Sequence, residues 1–211
     1  MQQSASAAVV VRGRAVCVCR PFPVPAVFFV WLVAGLCGCG ATVSVPPVEN
    51  GLGVALVDHG RHASLVLETE ERSMIRYAYG DWRYYALTKQ ATAEASRAAL
   101  LPTTAGLGRR QWFGSLDRLK VAERLRQGAE EIYVFQVDRG NAVDLITHLD
   151  SIYISNLATL HENRVYDLSF VHHPQAYTLF NNSNRKVAEW LKRLGCAVSG
   201  AAISSGWKVR Q

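Results

Sequence analysis

The sequence predicts an α+β domain lying behind an exported N-terminal segment. Three patterns point there: short runs of β-branched and aromatic residues, amphipathic stretches of helical period, and a basic lead followed by an apolar run in the first forty residues. With 211 residues and 49 % hydrophobic content, the chain can build a packed core and is not of disordered composition. Self-comparison finds no repeat of roughly 20–50 residues.

Element by element, Gly53 to Asp58 reads as a short buried strand, VALV at its centre. A tight turn at His59-Gly60 leads into a second strand, His62 to Glu68. Met74 to Tyr79 alternates with period two and ends at Gly80-Asp81. Residues 82–100 read as helix in two pieces, closed by Pro102. The pairs Gly51-x-Gly53 and Gly106-x-Gly108 read as turn glycines.

Further on, Ser115 is placed to cap a helix over LDRLKVAERLRQ, with Gly128 past its end. Ile132 to Val137 is a strand, and Asn141 to about Leu160 a longer helix. Val165 to Val171 is a strand that His172-His173-Pro174 should break. The clearest helix is Asn184 to Leu194, where Val187, Trp190, Leu191 and Leu194 form one stripe. Glu189 should pair with Arg193, Gly195 should stop the helix, and Gly206 to Val209 closes the chain as a strand.

The formal charge is +6, which by itself suggests a polyanionic partner. Residues 1–38 hold Arg12, Arg14 and Arg20 and no acid, so without them 20 basic residues face 17 acidic ones. The remaining cations are interleaved with acids, and no RNP, helix-turn-helix or zinc-finger spacing occurs; nucleic acid is not expected as a partner.

Val24 to Leu36 is apolar but shorter than the roughly 20 residues of a membrane-spanning helix. Basic lead, apolar run and the small residues of LCGCGA describe a secretory signal over 1–38, an uncleaved N-terminal anchor being the alternative. Leu36-Cys37-Gly38-Cys39 follows the bacterial lipobox pattern, which assigns lipidation to Cys39. Cys37 fits worse, because Leu36 would then occupy the small-residue position at the cleaved bond. A membrane partner held through a lipid anchor follows, with residues 39–50 as a semi-extended tether and 51–211 as one domain. Gly40 rather than an acid follows the lipobox, so the expected site is the outer membrane, facing the periplasm. Of five cysteines, Cys196 is the only one past the lipobox, and no internal disulfide is expected.

No cofactor motif appears: both glycine pairs lack the third glycine of a dinucleotide loop and the lysine of a P-loop. His59 and His62, three apart on an extended segment, should face opposite ways, as should His172 and His173, so no metal site is expected. Tyr77 and Tyr79 share one strand face and are the pair best placed to border a ligand site near His62.

Taken together, GRHASLVL, YAYGDWRYYAL and FNNSNRKVAEWLKRLG resemble the circularly permuted papain-like superfamily. The likeness is to a bacterial family with motifs of the GWHTGIV, GWGD and NCN type. In that family a histidine on an early strand works with a cysteine that opens a late helix. The resemblance implies a mixed or antiparallel sheet packed on helices. It places His62 at the histidine, Gly80-Asp81 in the middle motif, and Asn182-Ser183-Asn184 at NCN. Serine thus stands where the nucleophilic cysteine would be. A helix N-terminus lowers a thiol pKa, whereas a serine hydroxyl must lose its proton to an aligned base during attack. Three readings follow. One is a catalytically degenerate domain binding envelope peptide, glycan or lipid. The second is a hydrolase or acyltransferase using Ser183, His62 as base and Asp81 as orienter, with Asn182 and Asn184, like Tyr77 and Tyr79, as binding residues. The third is a structural envelope protein docking a partner through Tyr77 and Tyr79, with Ser183 acting only as a helix cap.

Overall fold

A computed structural model describes residues 40–88 and 101–211. The predicted signal segment 1–38, Cys39 and most of the second predicted helical piece in 82–100 lie outside the described residues. The α+β class holds. Seven antiparallel strands form the main sheet in the order β6-β2-β3-β4-β5-β8-β7. They are β2 Gly51–Asp58, β3 Ala63–Glu68, β4 Ser73–Asp81, β5 Thr103–Phe113, β6 Glu131–Asp138, β7 His161–Asn163 and β8 Leu168–Tyr177. The helices are α1 Arg118–Arg124, α2 Arg139–Ser155 and α3 Ser183–Arg193.

Both faces of the sheet are covered, which explains why β2 and β3 read as continuous apolar runs and not as alternating ones. On one face Leu56, Leu65, Tyr77 and Leu107 pack with Leu145 and Leu149 of α2 and Val187, Trp190 and Leu191 of α3. On the other, Val57, Val66, Met74 and Trp112 meet Val121 of α1. Farther along that second face lie Ala78, Tyr166, Leu168 and Phe170.

Several expectations change. Residues 40–50 are not a free tether. Thr42–Ser44 forms β1, the middle strand of a second sheet with β9 (Ala197–Ser199) and β10 (Lys208–Arg210). Val43 is wholly buried and Ala41 nearly so. A three-residue strand carries too little pattern to be read locally; it exists because its partners come from the other end of the chain.

Gly106 and Gly108 lie within β5, and Gly51 and Gly53 within β2, none at a turn. At Gly108 the reason is close approach: a Cβ there would sit 2.7 Å from the Phe170 ring. His172-His173-Pro174 does not end β8 either. The register against β5 shifts between Ala105 and Thr103, and that irregularity takes up the proline, which has no N–H to give the ladder.

Helix ends moved in the same way. Asp117, not Ser115, caps α1, accepting from Leu119 N at 2.9 Å, and the helix is shorter than expected. Residues 82–86 make a single π turn, capped by Asp81. The second long helix starts at Arg139 under an Asp138 cap and ends at Ser155, followed by a 3-10 turn, Leu157–Thr159. In α3 the cap is Asn182, whose side chain accepts from Arg185 N at 3.0 Å, and Ser183 is the first helical residue. Glu189 pairs with Lys186, one turn back, rather than with Arg193. Gly195 stops the helix with φ 87°, as expected.

Candidate functional site

The turn between β2 and β3 carries the predicted histidine. Gly60, at φ 84°, reverses the chain there, and Asp58 accepts Gly60 N at 2.8 Å. The segment is therefore not extended. His59 and His62 stack, ring centroids 4.6 Å apart, instead of facing opposite ways. Among the described residues no group of three metal-ligating side chains accompanies them.

Beneath this pair lies Arg76, wholly enclosed on β4. Its Nε donates to Ser64 Oγ at 3.2 Å, Nη1 to the Tyr166 carbonyl at 3.1 Å, and Nη2 to His59 Nε2 at 3.2 Å. A guanidinium only donates, so His59 Nε2 accepts and its Nδ1 carries the hydrogen, donating to the Gly128 carbonyl at 2.8 Å. Burial, then the Arg76 charge, lowers His59 from 6.5 to about 3 and His62 to about 4. Burial also lowers Arg76 itself to about 10. His62 packs edge-on to Tyr85 at 5.1 Å, with Tyr166 at 6.3 Å. His62, Arg76, Tyr79, Tyr85 and Tyr166 border a cavity of about 10 Å³, room for about one water.

The start of α3 packs against the same turn. Asn184 Nδ2 donates to the Arg61 carbonyl at 3.3 Å and, at 3.4 Å, to that of Ile203. Asn182 Nδ2 donates to Leu179 and Ile203 carbonyls at 3.1 and 2.9 Å. The fold thus brings the NSN triplet beside the residue preceding His62. Ser183, however, is only 3 % exposed. Among the described residues no hydrogen bond joins it to His62. Asp81 is committed elsewhere: one oxygen accepts Tyr84 N at 2.8 Å, the other Thr103 Oγ1 at 2.5 Å.

Tyr77 and Tyr79 do share a face, and it is the one that α2 and α3 cover. The Tyr77 hydroxyl donates to Asp150 at 2.6 Å, and Arg109 grips the same carboxylate at 2.7 and 3.2 Å. Tyr79 donates to the Ala176 carbonyl at 3.0 Å, and Lys186 Nζ stands 5.3 Å from its ring centroid. Burial raises both phenols well above the usual range. Both are core residues with anchored hydroxyls; of the two, Tyr79 also borders the small cavity beside His62, and Tyr77 does not.

A larger opening lies at the far end of the β3–β4 hairpin from His62. This cleft of about 320 Å³ runs between the Thr69–Ser73 turn, β5 and α2. Its polar groups include Ser73, Arg109, Gln111, Thr147 and Asp150, over a floor of Ile75, Val143 and Ile146. Gln111 Nε2 donates to Ser73 Oγ at 3.2 Å, and that hydroxyl is hydrogen-bonded to Thr69 Oγ1 at 2.8 Å. Sequence reasoning missed it because three segments far apart in the chain supply the lining. Arg76 was more accessible to that reasoning: a lone cation inside MIRYAY demands a buried polar partner.

Comparison with protein-family models, with curated proteins and with solved structures gives no match to this chain.

Proposed function

We propose that the protein is a lipid-anchored component of the bacterial envelope whose permuted papain-like domain binds envelope glycan and performs no acyl transfer. The burial of Ser183 at the nucleophile position carries this reading. A carbonyl arriving from solvent must reach the serine oxygen within near-attack distance, and Ser183, the first residue of α3, is only 3 % exposed, which disfavours that approach. The supporting groups agree. A histidine held near pKa 4 is a poor general base at neutral pH, and both Asp81 oxygens already accept hydrogen bonds.

A fluorophosphonate probe should therefore leave the folded protein unlabelled. Labelling that disappears in Ser183→Ala would establish the hydrolase reading in its place.

For the ligand, the cleft by α2 is the only opening among those described whose size reaches the roughly 300–1,000 Å³ of small-molecule sites. Hydroxyl, amide, guanidinium and carboxylate groups alternate around a small apolar floor. That suits a polyhydroxylated ring, which offers donors and acceptors on its edge and C–H groups on its face. It does not suit an acyl chain. Purified peptidoglycan sacculi should co-sediment with the protein, and Gln111→Leu with Thr147→Val should weaken retention about tenfold, as expected for two lost hydrogen bonds. Unchanged retention in the double variant would remove the cleft from the proposal.

A further inference from the structure

The small sheet at the chain ends presents an unusual outer face. Registers pair Thr42 with Lys208 and Ser199, and Ser44 with Arg210 and Ala197. Alternation sends Val43, Val198 and Val209 inward to the core. The outward row is therefore Ala197, Ser199, Thr42, Ser44, Lys208 and Arg210. Five of these are exposed and Thr42 half-buried; four are small, two are cations and none is an acid.

This face lies almost at the proposed attachment point. Ala41 is 1 % exposed, its carbonyl accepts Lys208 N at 2.9 Å, and Val45 N donates to the Arg210 carbonyl at 2.9 Å. The chain is thus locked into the domain two residues after Cys39. Two residues span at most about 7 Å. Lys208 stands one strand spacing, about 4.8 Å, from Thr42. Both cations consequently fall within reach of a surface potential that decays over about 8 Å.

We infer that the outer face of the β9-β1-β10 sheet lies flat on the bilayer, Lys208 and Arg210 meeting anionic phospholipid headgroups. This rests on lipidation at Cys39. A lipid with no slack behind it cannot let the domain float free, so some face must touch the membrane. A flat row of small side chains permits close approach, and the two cations, each favouring an anionic surface about fivefold, select this face over its neighbours.

The test uses the lipidated protein in vesicles of phosphatidylethanolamine and phosphatidylglycerol. A nitroxide is placed at Ser199→Cys; Cys196 will not compete, being buried with its thiol pushed up to about 11. Collision with an aqueous paramagnetic quencher should be several-fold lower than in a variant carrying about twenty Gly/Ser residues between Cys39 and Gly40. Lys208→Glu with Arg210→Glu should raise accessibility in the unspaced protein toward that of the spaced one. A diacylglyceryl Cys39 by mass spectrometry with Ser199 equally exposed in both would overturn the docking alone. An unmodified Cys39 would overturn the anchor, and the docking with it.

Discussion

Acidification from neutral pH to about 4.5 is expected to bring the domain to the edge of unfolding. His59 and His62 are buried neutral, with values near 3 and 4 against 6.5 in the unfolded chain. Between those limits the unfolded state takes up protons that the folded state refuses, so stability rises with pH across the window. It is fully present above about pH 6.5 and is lost as pH falls toward the folded values. At pH 4.5 each imidazole lies about two units below its unfolded pKa, roughly 2.7 kcal/mol apiece and about 5 for the pair. A domain of this size has only about 5–15 kcal/mol in total. His173, lowered to about 4 chiefly by burial, acts in the same direction. Urea midpoints followed by circular dichroism at several pH values should fall steadily below pH 6.5. A midpoint that stays flat from pH 7 to 5 would mean the two rings are not held neutral. Arg76→Met supplies a sharper control. It removes the charge that stands second among the causes of both shifts, so the loss of stability between pH 7 and pH 4.5 should be smaller than in the parent, whatever the variant does to stability at neutral pH.

How much of this was legible depends on where each signal resides. Strands β2, β3, β4 and β6 announce themselves because β-branched and aromatic residues run between turn residues, and α3 because its apolar stripe has helical period. Strand β5 does not. Its glycines make room for Phe170, contributed by a strand some sixty residues later, and Arg109 and Arg110 interrupt whatever pattern remains. Strands β1, β9 and β10 are three residues each and find their identity only in one another.

The site divides along the same line. His59-Gly60 is a local turn, readable as such, but the stacking of His59 on His62 depends on how that turn closes. That Tyr77 and Tyr79 share a face follows from strand geometry alone. That this face is the covered one depends on α2 and α3 lying across it, and alternation cannot tell a groove wall from a core when both sides of a sheet are buried. Asp81 shows the converse. Its position after a strand suggested an orienting carboxylate, while its immediate surroundings, a chain turning into a helical residue run, gave it a capping role.

Asp150→Ala should be among the most damaging single substitutions outside the apolar core. The carboxylate accepts the Tyr77 phenol at 2.6 Å and two Arg109 nitrogens at 2.7 and 3.2 Å, joining α2 to β4 and β5 at one point. Removing it strands a phenol with no solvent exposure and a guanidinium whose side chain is only 23 % exposed. Hydrogen bonds to charged groups and broken, partly buried pairs place the loss at about 2–4 kcal/mol. Tyr77→Phe, which removes the donor and leaves the ion pair, should lose about 1.5 kcal/mol. The Tyr77→Phe, Asp150→Ala cycle should then show coupling of about 1 kcal/mol or more, because the two changes share one hydrogen bond. The Arg118–Glu131 pair provides the contrast. It is as short, at 2.6 Å, but its side chains are 62 % and 42 % exposed, so Glu131→Ala should move the urea midpoint by well under about 1 kcal/mol equivalent. Equal effects at the two sites would show that distance alone governs these pairs. A large loss at Asp150 beside a small one at Glu131 would show instead that the hydroxyl and the enclosure supply the difference, at a cluster in which Arg109 and Asp150 also line the cleft while Tyr77 anchors them from the core.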